Sequence, residues 1–121
     1  MKANELRIGN WIDCKFIDEI IAISGIGEDG MIEFNNVGTC LIRYIKPIPL
    51  KGKWLEKCGF AENRAIIAVD NYYNACFERK NGHILFLTSY DNGKIGIPIK
   101  YVHRFQNLYF ALTNKEVPIK T

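Results

Sequence analysis

Histidine is nearly absent from this chain, with His83 and His103 the only two in 121 residues. Catalysis through a histidine base therefore needs one of them beside a nucleophile or an orienting carboxylate, and neither has such a neighbour in sequence. The four cysteines, Cys14, Cys40, Cys58 and Cys76, form no C-x-x-C pair and stand beside no histidine. Zinc knuckles are thereby excluded, and the expectation is four separate buried thiols in a reducing setting. Also lacking is any apolar run near the ~20 residues of a membrane span. The opening Met1-Lys-Ala-Asn-Glu-Leu-Arg7 has no apolar stretch of the secretory kind. A cytoplasmic protein with no membrane association is expected.

Carboxylates are present but not grouped. Metal-dependent nucleases and glycosidases need two or more acids converging on one centre, whereas Asp18-Glu19 and Glu28-Asp29 read as turn pairs. The alternating acids of a calcium loop are missing. Gly25-Ile-Gly-Glu-Asp-Gly30 has the G-x-G-x-x-G spacing, yet its two acids repel phosphate and no helix follows to offer an N-terminus, so it reads as a hairpin turn. Neither a metal nor a cofactor is expected, and no catalytic residue is assigned. An enzyme remains a third reading only if its acids assemble from distant strands.

What is there fits one globular domain over residues 1–121, since 48% of the residues are hydrophobic and 24% charged, far from the profile of disordered chains. A net charge of +3 is too small to argue for nucleic acid by itself, but the signs segregate. Asp13, Asp18, Glu19, Glu28, Asp29 and Glu33 face Lys15 alone, whereas Arg43, Lys46, Lys51, Lys53 and Lys57 face Glu56. Surfaces that complement each other within the fold or between subunits are one reading. A nucleic-acid contact by Arg43, Lys46, Lys51, Lys53 and Lys57, aided by Tyr72, Tyr73 and Tyr90 among cations, is the other.

The pattern is β-rich over residues 1–46. A turn at Gly9-Asn10 feeds a strand from Trp11, Glu19 to Gly25 follows with Ile20, Ile21 and Ile23, Glu28-Asp-Gly30 turns into Met31 to Phe34, and Asn35-Asn-Val-Gly38 precedes Thr39 to Ile45. About four short strands at this spacing resemble a small curved sheet or an SH3-like barrel. Residues 47–60 supply a connector, Lys46-Pro-Ile-Pro-Leu50, and a short helix from Lys51 to Cys58 that Gly59 closes in a left-handed cap with Phe60 tucked back. Residues 61–121 return to strands at Ala65 to Val69, Tyr72 to Arg79, His83 to Tyr90 and Lys94 to Ile97, with Asn81-Gly82 as a type I′ turn. Pro98 then suits the first turn of a C-terminal helix. The predicted fold class is α+β, with the C-terminal helix packed on antiparallel strands.

That helix carries the clearest periodicity in the chain. Tyr101, Val102, Phe105, Leu108, Tyr109 and Leu112 fall on one stripe. His103, Asn107 and Phe110 fall at i, i+4 and i+7 on the other side and form the candidate partner-binding strip, expected to face solvent.

Leu6-Arg-Ile-Gly-Asn10, Ile48-Pro-Leu50 with Trp54-Leu-x-Lys-Cys-Gly-Phe60, and Val102-His-x-x-Gln-Asn-Leu-Tyr-Phe-Ala-Leu-Thr113 together resemble the small uncharacterised proteins of Bacteroidetes genomes and their phages or mobile elements. The likeness spans nearly the whole chain. It implies a cytoplasmic accessory protein of phage or mobile-element type and transfers no catalytic role. The chain departs from the proteins it resembles at Lys51-Gly-Lys53, where those tend to begin the middle helix with threonine and acids. The leading expectation is a non-enzymatic interaction protein with a protein partner or a second copy of itself, and the alternative is a nucleic-acid-binding accessory protein.

Overall fold

The computed structural model describes residues 3–15, 17, 19–35, 38–60, 66–70, 75–87 and 96–120. Its first half is built from very short strands whose apolar residues alternate with polar ones. β1 (Trp11–Cys14) turns Ile12 and Cys14 inward, and β4 (Met31–Phe34) does the same with Ile32 and Phe34, as a pleat of period two requires. β1 pairs antiparallel with β2 (Glu19–Ala22) on one side and with β6 (Ile45–Lys46) on the other. β3 (Gly25–Ile26), β4 and β5 (Gly38–Leu41) form a second three-stranded sheet. The turn between β3 and β4 follows from Asp29, whose Oδ1 accepts from the Met31 amide at 3.1 Å, and from Gly30 at φ +82°.

Thr39 to Ile45 is not the single strand expected. A 3-10 turn at Ile42–Tyr44 breaks it into β5 and β6 and carries the chain from one sheet to the other. Orders β2-β1-β6 and β3-β4-β5, with that turn before the last strand, make a small barrel-like pair of antiparallel sheets around one interior. Its interior is Leu6, Ile12, Cys14, Ile23, Ile32, Phe34, Cys40 and Ile45, drawn from both sheets.

The second half is organised by α2 (Val102–Thr113). β7 (Ile66–Asp70), β8 (Ala75–Lys80), β9 (His83–Leu87) and β10 (Ile97–Ile99) make an antiparallel sheet in the order β10-β9-β8-β7. Asn81 and Gly82, at φ +54° and +77°, make the two-residue turn between β8 and β9, the paired positive angles of a type I′ hairpin. α1 (Lys53–Lys57) is shorter than predicted, because Gly52 offers no side-chain cap. Its end is as expected: the Phe60 amide donates to Leu55 O at 2.8 Å and the Gly59 amide to Glu56 O at 3.0 Å, the bonds of a Schellman cap.

Phe60, thus folded back, is fully buried and lies 5.2 Å from the Phe105 ring centroid. Phe77 meets Phe105 edge-on at 4.8 Å, so the strand core, the short helix and α2 converge on one aromatic ring. Edge-to-face packing adds about 0.5–1.5 kcal/mol per pair beyond area burial.

Pro98 is not in the first turn of the helix. It sits in β10 opposite Leu85, and β10 is an edge strand. Only alternate residues of an antiparallel ladder exchange bonds, so a proline between Ile97 and Ile99 forfeits none on the paired side. The prolyl connector runs beside the start of α2: the Leu50 amide donates to Lys100 O at 2.8 Å and the Val102 amide to Ile48 O at 2.9 Å. Trp11 of β1 reaches out of the barrel to Trp54 of α1, their centroids 6.0 Å apart. Among the described residues no helix is long and apolar enough to cross a membrane.

Candidate functional site

His103, Asn107 and Phe110 do not form the solvent-facing strip expected of them. The structure brings Asn107 and Phe110 against the segment Glu5 to Trp11 and buries His103 at a cavity that Glu5 also lines. Asn107 Oδ1 accepts from Asn10 Nδ2 at 2.8 Å and from Arg7 Nε at 3.2 Å, while its Nδ2 donates to Glu5 O at 2.9 Å. Phe110 lies beneath the Arg7 guanidinium, 4.3 Å from ring centroid to carbon. Gln106, a polar residue between these positions, is 2% exposed. Its Oε1 accepts from the Trp11 amide at 2.8 Å and its Nε2 donates to Gly9 O at 3.0 Å. This face of α2 is polar and buried at once, because its side chains satisfy main-chain groups of the turn before β1. A hydrophobicity pattern registers only burial by apolar residues, which is why the seam read as surface.

His103 differs from its neighbours on that seam. It is 1% exposed, and neither ring nitrogen has a hydrogen-bond partner. The ring stacks on Tyr101, with centroids 6.0 Å apart and planes inclined at 23°. Burial holds its pKa below the ordinary value, the adjacent Arg104 charge adds to that, and Glu5 opposes it. With Glu5, Pro47, Tyr101 and Arg104 it lines a cavity of about 220 Å³.

Arg104 is the point where this cavity meets two shallower ones. A pocket of about 350 Å³ is lined by Pro98, Lys100, Tyr101 and Arg104. A third, of about 500 Å³, lies between β10 and α2, where Ile97, Pro98 and Leu108 contribute apolar walls. The Arg104 guanidinium is 3.8 Å from the Glu5 carboxylate and more than half exposed. Ile97, at 58% exposure, is the most open large apolar side chain described. Nothing in the periodicity points here: Ile97 and Pro98 read as a strand end and a helix start, and Arg104 belongs neither to the apolar stripe nor to the His103 strip.

The basic residues are spread over successive elements. Arg43 lies in the 3-10 turn with its guanidinium 5.3 Å from the Tyr44 ring, Lys46 is on β6, Lys51 precedes α1, and Lys53 and Lys57 are in α1. The Lys57 ammonium sits 4.6 Å over the Trp54 ring. Lys46 stands opposite Asp13 in the register of β1 and β6, but the Asp13 carboxylate pairs with Lys15 at 2.8 Å. Among the described residues, none of the five has a carboxylate within 4 Å. Tyr72, Tyr73 and Tyr90 lie outside the described residues.

The thiols are not all separate. Cys14 and Cys40 meet inside the barrel with their sulfurs 3.4 Å apart. The inward side of β1 and that of β5 in the other sheet point at each other, a contact that linear spacing does not reveal. Burial pushes the Cys40 thiol up to about 12, with Cys14 adding to it, and burial alone does the same to Cys58. Such groups stay protonated at neutral pH and are poor nucleophiles. Among the described residues no group of three or more His, Cys, Asp or Glu side chains is placed to hold a metal ion. No family model, curated protein or solved structure matches the chain.

Proposed function

We propose that the chain is a non-enzymatic interaction protein whose recognition surface is the face around Arg104. The observation that supports this reading is the convergence of pockets on one half-open guanidinium, flanked by exposed Ile97 and Pro98. An apolar patch with a central arginine is the composition that protein interfaces favour. Among the described residues Glu5 is the one carboxylate lining these pockets, which does not supply the paired acids an assembled hydrolytic site needs. The likeness of Val102 to Thr113 to proteins of Bacteroidetes phages and mobile elements makes a cytoplasmic accessory role, with a protein partner, part of the same proposal.

The test compares wild type with Ile97→Asp and Arg104→Glu. Both side chains are exposed, so melting temperatures should be unchanged. A partner captured from the host or from infected cells by the wild type should be lost by both variants. Equal capture by all three proteins would remove this face from consideration.

The second reading is a nucleic-acid-binding accessory protein. It is supported by Arg43, Lys46, Lys51 and Lys53, exposed and without carboxylate partners among the described residues. Binding of this kind weakens steeply with salt, with log K falling by about 0.9 per phosphate neutralised for each unit of log salt on duplex DNA. A flat titration with DNA and RNA at low salt would eliminate it.

A further inference from the structure

We infer that the start of α2 is a socket for a small oxyanion, built from the amides of His103 and Arg104, the His103 ring, and the cations of Lys100 and Arg104. The inference rests on reading the Arg104 face as a recognition surface and names the chemistry at its centre. α2 is a helix of 12 residues that begins without a side-chain cap and without an acidic residue in its first turn. Its first amide, that of Val102, is used by Ile48 O. Those of His103 and Arg104 find no acceptor among the described residues. Two unserved donors thus stand at the positive end of the helix dipole, where negative charge is stabilised.

The buried imidazole is the independent observation. A polar ring that is 1% exposed with both nitrogens unpartnered bears the full cost of its lost hydration, which native structures ordinarily offset with a partner. Here that ring borders a cavity of about 220 Å³ next to a guanidinium. A neutral imidazole has one N–H to donate and one nitrogen to accept, and the remaining unserved groups at the socket, the two amides, Lys100 and Arg104, are donors or cations. Among the described residues a metal cation would find one carboxylate, Glu5, and the Arg104 guanidinium, with the Lys100 ammonium in the adjoining pocket. A neutral ligand would leave Lys100 and Arg104 unused. An oxyanion engages every donor and cation among them. Glu5 lies 3.8 Å from Arg104 and opposes the anion, so binding draws the guanidinium from the weak ion pair to the ligand.

Phosphate and carboxylate share this chemistry, and they are separated by titrating ¹⁵N-labelled protein with inorganic phosphate, with acetate and with sodium chloride at matched ionic strength. The amides of His103 and Arg104 should shift saturably with phosphate or with acetate and not with chloride. The amides of Ile32 and Glu33, on β4 of the other half, should not follow. Whichever anion saturates identifies the source as a phosphate or a carboxylate group. Arg104→Gln and Lys100→Gln, both at exposed side chains, should each weaken binding on the order of tenfold, and Glu5→Gln should tighten it. Shifts that track ionic strength alone, or equal affinity in the Arg104→Gln variant, would overturn the socket. If anions fail while partner capture still depends on Arg104 and Ile97, only the socket falls; if both fail, the reading of this face falls with it.

Discussion

Phe105 and Gln106 are consecutive residues of α2, 0% and 2% exposed, and they hold the helix by different physics. Phe105 faces the rings of Phe60, Phe77 and Tyr109 and contributes through area removed from water and through packing. Gln106 faces the backbone of Gly9 and Trp11 and contributes by giving two half-buried main-chain groups the partners they would otherwise lack. The first face tolerates any apolar side chain of the right volume. The second requires one donor and one acceptor in fixed geometry. α2 is therefore glued to its own sheet and keyed to the barrel, and the key sets how the two halves of the molecule meet.

The largest effect is expected on the glued side. Phe105→Ala empties the centre of an aromatic cluster whose neighbours come from three elements, and large-to-small changes of this type cost about 3–5 kcal/mol. Chemical denaturation should register that loss, with both halves affected because Trp11 also packs against the same core. A loss under about 1 kcal/mol would mean that Phe60 and Phe77 collapse into the space, and the convergence on one ring would not be the organising feature.

The keyed side predicts a smaller but more local effect. Gln106→Leu keeps the volume and leaves the Trp11 amide and Gly9 carbonyl without partners, at about 1–3 kcal/mol for each buried group left unsatisfied. Hydrogen exchange should locate the damage: the Trp11 amide loses protection while amides in β8 and β9 keep theirs. If exchange instead rose uniformly, the seam would be an ordinary part of the global core.

This contrast also explains what was legible beforehand. Features encoded by short-range chemistry were readable: the Asn81-Gly82 turn, the Gly59-Phe60 cap, the Phe105 stripe and the strand spacing of the barrel. The keyed face was not, because Asn10, Gln106 and Asn107 look hydrophilic whether they meet water or backbone, and only the fold brings Gly9 and Glu5 within reach of a helix about a hundred residues later. Pro98 misled for a related reason. Its lack of an N–H suits a helix start and an edge strand equally, and the sheet order that decides between them is a tertiary fact. Arg104 and Ile97 carry no pattern at all, since a site made where a strand edge meets a helix start has no periodicity.

His103 belongs to neither face, and pH separates it from both. Its folded-state pKa lies below the ordinary value of 6.5, chiefly through burial and then through Arg104. Below that ordinary value the unfolded chain binds a proton that the folded chain resists, so unfolding takes up protons and stability rises with pH. The contribution is complete above about pH 6.5 and declines as pH falls through that value toward the depressed one. Melting temperature should therefore drop on acidification from pH 7 to 5, and His103→Gln should flatten that slope. The effect should be the smallest of the three, because protonation is relieved by fraying the first turn of α2 without disturbing Phe105 or Gln106. Phosphate or acetate, whichever occupies the socket, favours the imidazolium and should shallow the same slope in wild type while leaving His103→Gln unaffected. An acid slope that persists in His103→Gln would assign the titration to carboxylates and leave the start of α2 no different in kind from the keyed face beside it.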